Sequence, residues 1–311
     1  MSKIEPQNNS LSDDFNRELR ACVTRGLNWT IENLPMFVPE NVANPENMKE
    51  ITELALMYSF INQWNDSRLK LQTIPIEEFL LDFFDDPLIV QCARKMPNHF
   101  DHYFIAYMTL RMAGHRLEKY EKALESIQKY NYPNCSEKTP YRTLELQYMQ
   151  WKAGLMEEPP DWQSIYRSTT LGLCPNPVFL SEWEVYSITH TLFYLTDFCG
   201  LTMHLPRDEN QDVIKVLESL LIYYWKKADW DITGELLINM VALGRSNTSL
   251  FKTAALEFLR AWRLDGALPG PHFSLSNEVP DQKNLFENCY HTTLIGILFC
   301  GSYIRRNIHI N

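Results

Sequence analysis

A chain of 311 residues carrying 29 Lys and Arg against 39 Asp and Glu has a formal charge of −10 at neutral pH, which excludes the clustered cationic face of a nucleic-acid binder. Its 45% hydrophobic content fits a globular protein long enough to bury a core without staples. Seven scattered cysteines with no C-x-x-C pair imply no disulfide framework and point to a reducing cytoplasm, and no run of ~18 apolar residues offers a membrane span.

The polar start MSKIEPQNNS predicts a disordered lead-in over residues 1–10, with a single domain over 11–311. Ser12 is placed to cap a helix whose apolar positions Phe15, Leu19, Cys22, Val23, Leu27 and Ile31 keep a helical period. Pro35 and Pro39 end it. Beyond the Pro/Asn loop, nearly every run reads as helix, because period-two alternation is absent and the prolines fall between runs. Helices are predicted over 46–64, 75–85, 87–95, 99–113, 116–130, 140–153, 160–168, 181–199, 209–227, 229–243, 247–264, 281–300 and 302–308.

Several of these runs close on glycine: Gly114, Gly154, Gly200, Gly244 and Gly301, with Asn65 a weaker stop of the same kind. Glycine takes the left-handed stop conformation without steric penalty. The stops lie 40 to 57 residues apart, the spacing of a repeated helix pair. The expected fold is therefore all-α, an α/α toroid of about six helix pairs, with an open α-solenoid as the alternative. The irregular stretch Gly266–Asp281 is either a cover for one mouth of the ring or a surface excursion.

The segment Ser187–Gly200, SITHTLFYLTDFCG, returns as Cys289–Gly301, CYHTTLIGILFCG, so that His190 aligns with His291 and Gly200 with Gly301. Counting back nine or ten residues from each stop places apolar residues at the mouth in the first two repeats. The later ones give Glu145, His190, Glu235 and His291 there. Asp231 lies one turn before Glu235 on the same helix face. Asp197 follows His190 by seven residues, deeper on the same face by ~10 Å.

Two imidazoles with carboxylates suit zinc or iron, with His190, Glu235 and His291 as candidate ligands. The same groups serve equally as a metal-free acid and base, or as a mutually satisfied buried network. Asp197 is placed to orient His190, and Tyr194 to donate a hydrogen bond to substrate. Asp101-His102 reads as a helix cap, the Asp82–Asp86 run as a solvated acidic turn, and His99, His115, His204, His272 and His309 as surface residues. Nucleotide-loop, α/β-hydrolase, H-E-x-x-H and dinucleotide motifs are absent.

The run Cys289–Thr293 resembles the D-x-Y-H-T segment of protein prenyltransferase β subunits, α/α toroids in which that His binds zinc. By that resemblance His291 is a metal residue, although the family's Asp-x-Cys zinc pair is missing and prenyl transfer is not implied. The glycine-closed helix pairs look like lanthipeptide-cyclase toroids without their Cys and Cys-His zinc pattern. More of the chain resembles a poorly characterised bacterial all-helical family with T-H-x-x-F-Y-x-T-D-F, W-D-x-x-x-E-L-L and Y-H-T-T segments, matched by Thr189–Phe198, Trp230–Leu237 and Tyr290–Thr293. It supports the grouping of His190, Asp197, Asp231, Glu235 and His291. The functional expectation is a cytoplasmic metal-dependent enzyme of bacterial secondary metabolism, with a small molecule or peptide as substrate and neither nucleic acid nor membrane as partner. The alternative is a helical-repeat binding or scaffold protein without chemistry.

Overall fold

The computed structural model describes residues 8–64, 66–96, 99–131, 135, 137–200, 210–273 and 281–308. Among the described residues the regular structure is helical throughout. The helices are α1 (Asn8–Glu32), α2 (Lys49–Gln63), α3 (Ser67–Gln72), α4 (Ile74–Asp85), α5 (Pro87–Lys95), α6 (Phe100–Met112) and α7 (Glu118–Lys129). They continue as α8 (Pro140–Lys152), α9 (Trp162–Ser168), α10 (Glu182–Leu195), α11 (Asn210–Lys226), α12 (Trp230–Ala242), α13 (Ser249–Arg260) and α14 (Gln282–Ile308). The all-α class is the one the sequence predicts. None of these helices is long and apolar enough to cross a membrane, and the seven cysteines are free.

Packing follows apolarity. α12 buries every residue from Asp231 to Ala242, and α6, α10 and α14 are nearly as enclosed. Helices apolar on all sides belong inside. The contacts run α2 to α6, α6 to α8, α8 to α10, α10 to α12, α12 to α14, and from α14 back to α2. More amphipathic helices lie against these: α3 and α4 on α2, α5 on α6, α9 on α8, α11 and α13 on α12, and α1 on α14.

Three of the glycine stops behave as expected. Gly114, Gly154 and Gly244 have φ of 102°, 71° and 69°, and the following amide of each returns to a carbonyl five residues back, as in His115 to Leu110 at 3.0 Å. Gly200 and Gly301 do not end helices. α10 stops at Leu195, because Asp197 itself takes the left-handed position at φ 49° and the Phe198 amide returns to the Phe193 carbonyl at 2.8 Å. Phe198 and Cys199 continue left-handed at φ 47° and 63°. Gly301 lies inside α14, where a Cβ would fall 2.0 Å from the Trp64 ring. This glycine is needed for close approach, and the two predicted helices 281–300 and 302–308 are one.

Other differences are local. α1 begins at Asn8, ahead of the expected cap at Ser12, so residues 8–10 belong to the helix and only 1–7 of the predicted lead-in lie outside the described residues. α3 was read as loop from sequence; Asp66 caps it, accepting from Arg68 and Leu69. His99, not Asp101 or His102, holds the N-cap position of α6, without a side-chain bond. His115 is half-buried, 3.1 Å from Glu77, and His204 and His309 lie outside the described residues.

Candidate active site

α2, α10, α12 and α14 bring five ionisable side chains together, Glu53, His190, Asp231, Glu235 and His291. Carboxylates in first helical turns are favoured by the partial positive charge there, and Asp231 occupies the first turn of α12. Glu235 follows one turn later and is fully buried. Its two oxygens face the two aligned histidines: Oε2 lies 3.7 Å from His190 Nδ1 and Oε1 lies 3.8 Å from His291 Nε2. The repeated His therefore meets its copy across one carboxylate. Each imidazole side chain is about a quarter exposed, at 26% and 24%, so the cluster opens to solvent above a buried acidic floor.

Hydroxyl groups tie the floor down. Tyr186 donates to Asp231 Oδ2 at 2.6 Å and Thr292 donates to Asp231 Oδ1 at 3.1 Å. Thr189 donates to Glu235 Oε2 at 2.5 Å. Glu235 Oε1 has no hydrogen-bond partner although it is buried; leaving such an acceptor unmet costs about 1–3 kcal/mol.

The two imidazoles are held differently. His190 Nδ1 lies 2.9 Å from the Tyr186 carbonyl. A carbonyl only accepts, so Nδ1 carries a proton and Nε2 is the nitrogen turned away from this bond. His291 Nδ1 lies 2.9 Å from Glu53 Oε2, and its Nε2 lies 3.4 Å from Asp231 Oδ1. Burial works to lower the His291 pKa but is outweighed by Asp231 and Glu53, which hold it well above the usual range. Burial raises Glu53, and the His291 charge overrides it, so that carboxyl sits below its ordinary value. Burial keeps Asp231 above its ordinary value despite His291, with Glu235 adding to the rise. Burial also pushes up the Tyr186 phenol, helped by Asp231 and Glu235.

Of the residues expected from sequence, His190, Asp231, Glu235 and His291 are brought together. Asp197 and Tyr194 are not with them. Asp197 does not orient His190: α10 has unwound by that point, so the seven-residue same-face relation does not apply. Its carboxylate accepts from Tyr148 at 2.7 Å and pairs with Lys152 at 2.9 Å. Tyr194 donates to Glu145 at 2.5 Å, and Glu145 pairs with Arg142 at 2.6 Å; burial pushes the Tyr194 phenol up, with Glu145 adding to it. Sequence reasoning missed Glu53, Tyr186, Thr189 and Thr292. Glu53 carried no signal in this register: Asn65 follows the end of α2 at Gln63 by two residues, as Gly114 follows Met112, and counting back from it lands on Ala55. Tyr186 precedes His190 by one turn.

Among the described residues no three His, Cys, Asp or Glu side chains form a ready metal cage. The nearest approach is His291 Nε2 with Asp231 Oδ1 and Glu235 Oε1, at separations of 3.4 and 3.8 Å. Adjacent donors around a tetrahedral zinc with ~2.0–2.1 Å bonds stand about 3.3 Å apart, close to the His291–Asp231 separation and shorter than the His291–Glu235 one. Glu53 on the far ring nitrogen is the usual outer partner of a ligating histidine.

Fold and site define an all-α protein with an imidazole–carboxylate cluster at one end of its inner helices. The chain belongs to the family described as a domain of unknown function, DUF6895, whose profile matches residues 23–301. No curated protein and no solved structure matches it.

Proposed function

We propose that this protein is a cytoplasmic, divalent-metal-dependent enzyme acting on a small molecule. His291, Asp231 and Glu235 would be the ligands, and His190 the general base. The observation that carries this reading is the buried Glu235 Oε1, which lacks a hydrogen-bond partner and stands 3.8 Å from an imidazole nitrogen that also faces Asp231. The contact from α14 back to α2 supports a closed α/α toroid over an open solenoid, with the site at one mouth.

A divalent cation supplies Lewis-acid polarisation of a substrate oxygen or of water. The chain's own groups do the rest. Glu53 fixes the His291 ring by holding Nδ1. Tyr186 and Thr292 fix the Asp231 carboxylate, and Thr189 fixes Glu235. His190 takes up a proton at Nε2, its ring set by the Tyr186 carbonyl, and general-base use of this kind contributes about 10²–10⁴-fold.

The test is elemental analysis after equilibration with zinc or manganese and removal of the free ion. A single ion per chain is expected, lost in Glu235→Gln and His291→Ala and kept in His190→Ala. An ion content near zero in the wild type, or one indifferent to Glu235→Gln, overturns the assignment.

A further inference from the structure

A cavity of about 430 Å³ lies beside the cluster. One wall is the start of α10, with Trp183 and Tyr186; another is the turn into α12 at Ala228 and Asp229; the third is Pro271 and His272. The volume falls in the range of small-molecule pockets, roughly 300–1,000 Å³. Tyr186 is shared between the cavity and the cluster, since its hydroxyl rests on Asp231 at 2.6 Å. Trp183, Tyr186 and His190 are spaced three and four residues apart on α10 and so share one face. That face leads from the cavity to the proposed base over about 10 Å, at ~1.5 Å per residue.

Trp183 is the feature that demands a reason. Its side chain is 78% exposed, and Phe179 and Val178 just before it are 82% and 81% exposed. The backbone that carries the indole is capped. Ser181 and Glu184 form a reciprocal cap at the start of α10, with the Ser181 amide donating to Glu184 at 2.7 Å. The opposite wall is fixed as well: the Gly270 amide donates to the Asn288 carbonyl at 2.8 Å, and the Leu268 amide to Thr293 Oγ1 at 2.8 Å. Gly270 must be glycine there, because a Cβ would meet the Asn288 carbonyl oxygen at 2.6 Å and Thr292 Oγ1 at 3.1 Å. Within the cavity Lys227 pairs with Glu182 at 3.5 Å, and Asp229 accepts from the Ile232 amide at 3.3 Å as the cap of α12, so it is the aromatic wall that points to a ligand.

We propose that this cavity is the specificity pocket of the site, and that it takes a planar aromatic group of a small-molecule substrate whose polar end reaches the Asp231–His190 region. The proposal rests on the functional reading above for the polar end only. A solvent-facing indole supplies a large stacking surface with only two side-chain torsions to order, and the cavity is too small for a folded partner.

The test is a fluorescence titration of the full chain with N-phenyl-1-naphthylamine, a neutral planar aromatic probe. Saturable binding is expected in the wild type. Trp183→Ala weakens it about tenfold or more, and Trp183→Phe keeps it within about threefold. Trp183 is exposed, so neither variant disturbs the fold, and ion content in Trp183→Ala stays at the wild-type level. Absence of saturable binding, or equal affinity in wild type and Trp183→Ala, overturns the pocket while leaving the metal reading untouched. Trp183-dependent probe binding by a protein that retains no metal keeps the pocket and removes the metal.

Discussion

The segments Ser187–Gly200 and Cys289–Gly301 share His, Thr, Phe, Cys and Gly at matching places, yet only half of the match has the same structural meaning. The His end is used alike: both imidazoles approach Glu235. The Phe-Cys-Gly end is not. In α14 the helix runs on through Gly301, which receives the Trp64 ring. In α10 the helix is stopped three residues before Gly200 by Asp197, held by Tyr148 and Lys152, while Phe198 turns to stack on Phe60 at 3.7 Å. The same letters can thus encode a stop, a close approach or a left-handed turn, and what the partner helix presents decides which.

The comparison breaks most visibly at the glycines. Gly301→Ala pushes a methyl into a rigid, buried ring and is expected to lose about 3 kcal/mol, the upper end of overpacking, in urea unfolding. Gly200→Ala meets the Asp197 carboxylate at 2.8 Å and its Cβ and carbonyl oxygen at 3.0 Å, milder approaches than that to Trp64, and is expected to lose about 1 kcal/mol. Equal losses would show that the two glycines do one job. The cysteines sharpen the contrast. Cys199→Gly relieves a left-handed residue, worth about 1–2 kcal/mol, whereas Cys300→Gly adds about 0.3 kcal/mol of helix penalty, the difference between two poor helix formers. Both side chains are buried, and Cys199 also loses its thiol bond to the Ile238 carbonyl at 3.2 Å, so Cys300→Gly should be the less stable variant by about 1 kcal/mol.

Smaller effects separate the imidazoles. His291→Ala leaves three carboxylates without their cation, and His190→Ala leaves one carbonyl without its donor. After discounting for partial exposure, His291→Ala should be less stable at neutral pH by about 1 kcal/mol. His102, at the start of α6, serves as an imidazole outside the cluster. The Asp101 hydrogen bond raises its pKa above 6.5, outweighing burial. The stability this contributes is full below the ordinary value and fades as pH rises through the raised one. An NMR titration should place the His102 midpoint above 6.5 and return it toward that value in Asp101→Asn.

Much of this was legible before any coordinates. The helical period, the prolines and three of the glycine stops give the all-α class and most helix positions, because these signals act within a few residues. His190, Asp231, Glu235 and His291 follow from counting turns along helices that stay helical. Asp197 was misplaced because the same counting was carried past a helix end that no local signal marked: Asp rarely takes the left-handed position, and tertiary bonds from Tyr148 and Lys152 hold it there. Glu53 was missed because it stands two residues before the counted position on α2 and joins the cluster through its tertiary bond to His291. Gly301 was misread because its reason is a tryptophan 237 positions away in sequence, which no local pattern can announce.

The proposed site has His291, Asp231 and Glu235 closing on one ion with His190 beside it and not bound to it. Pulsed electron paramagnetic resonance on the manganese-loaded protein reads this directly. One imidazole nitrogen should couple to the bound ion, and the coupling should persist in His190→Ala and disappear in His291→Ala. Manganese that shows no nitrogen coupling in the wild type, or coupling that survives His291→Ala, would contradict it.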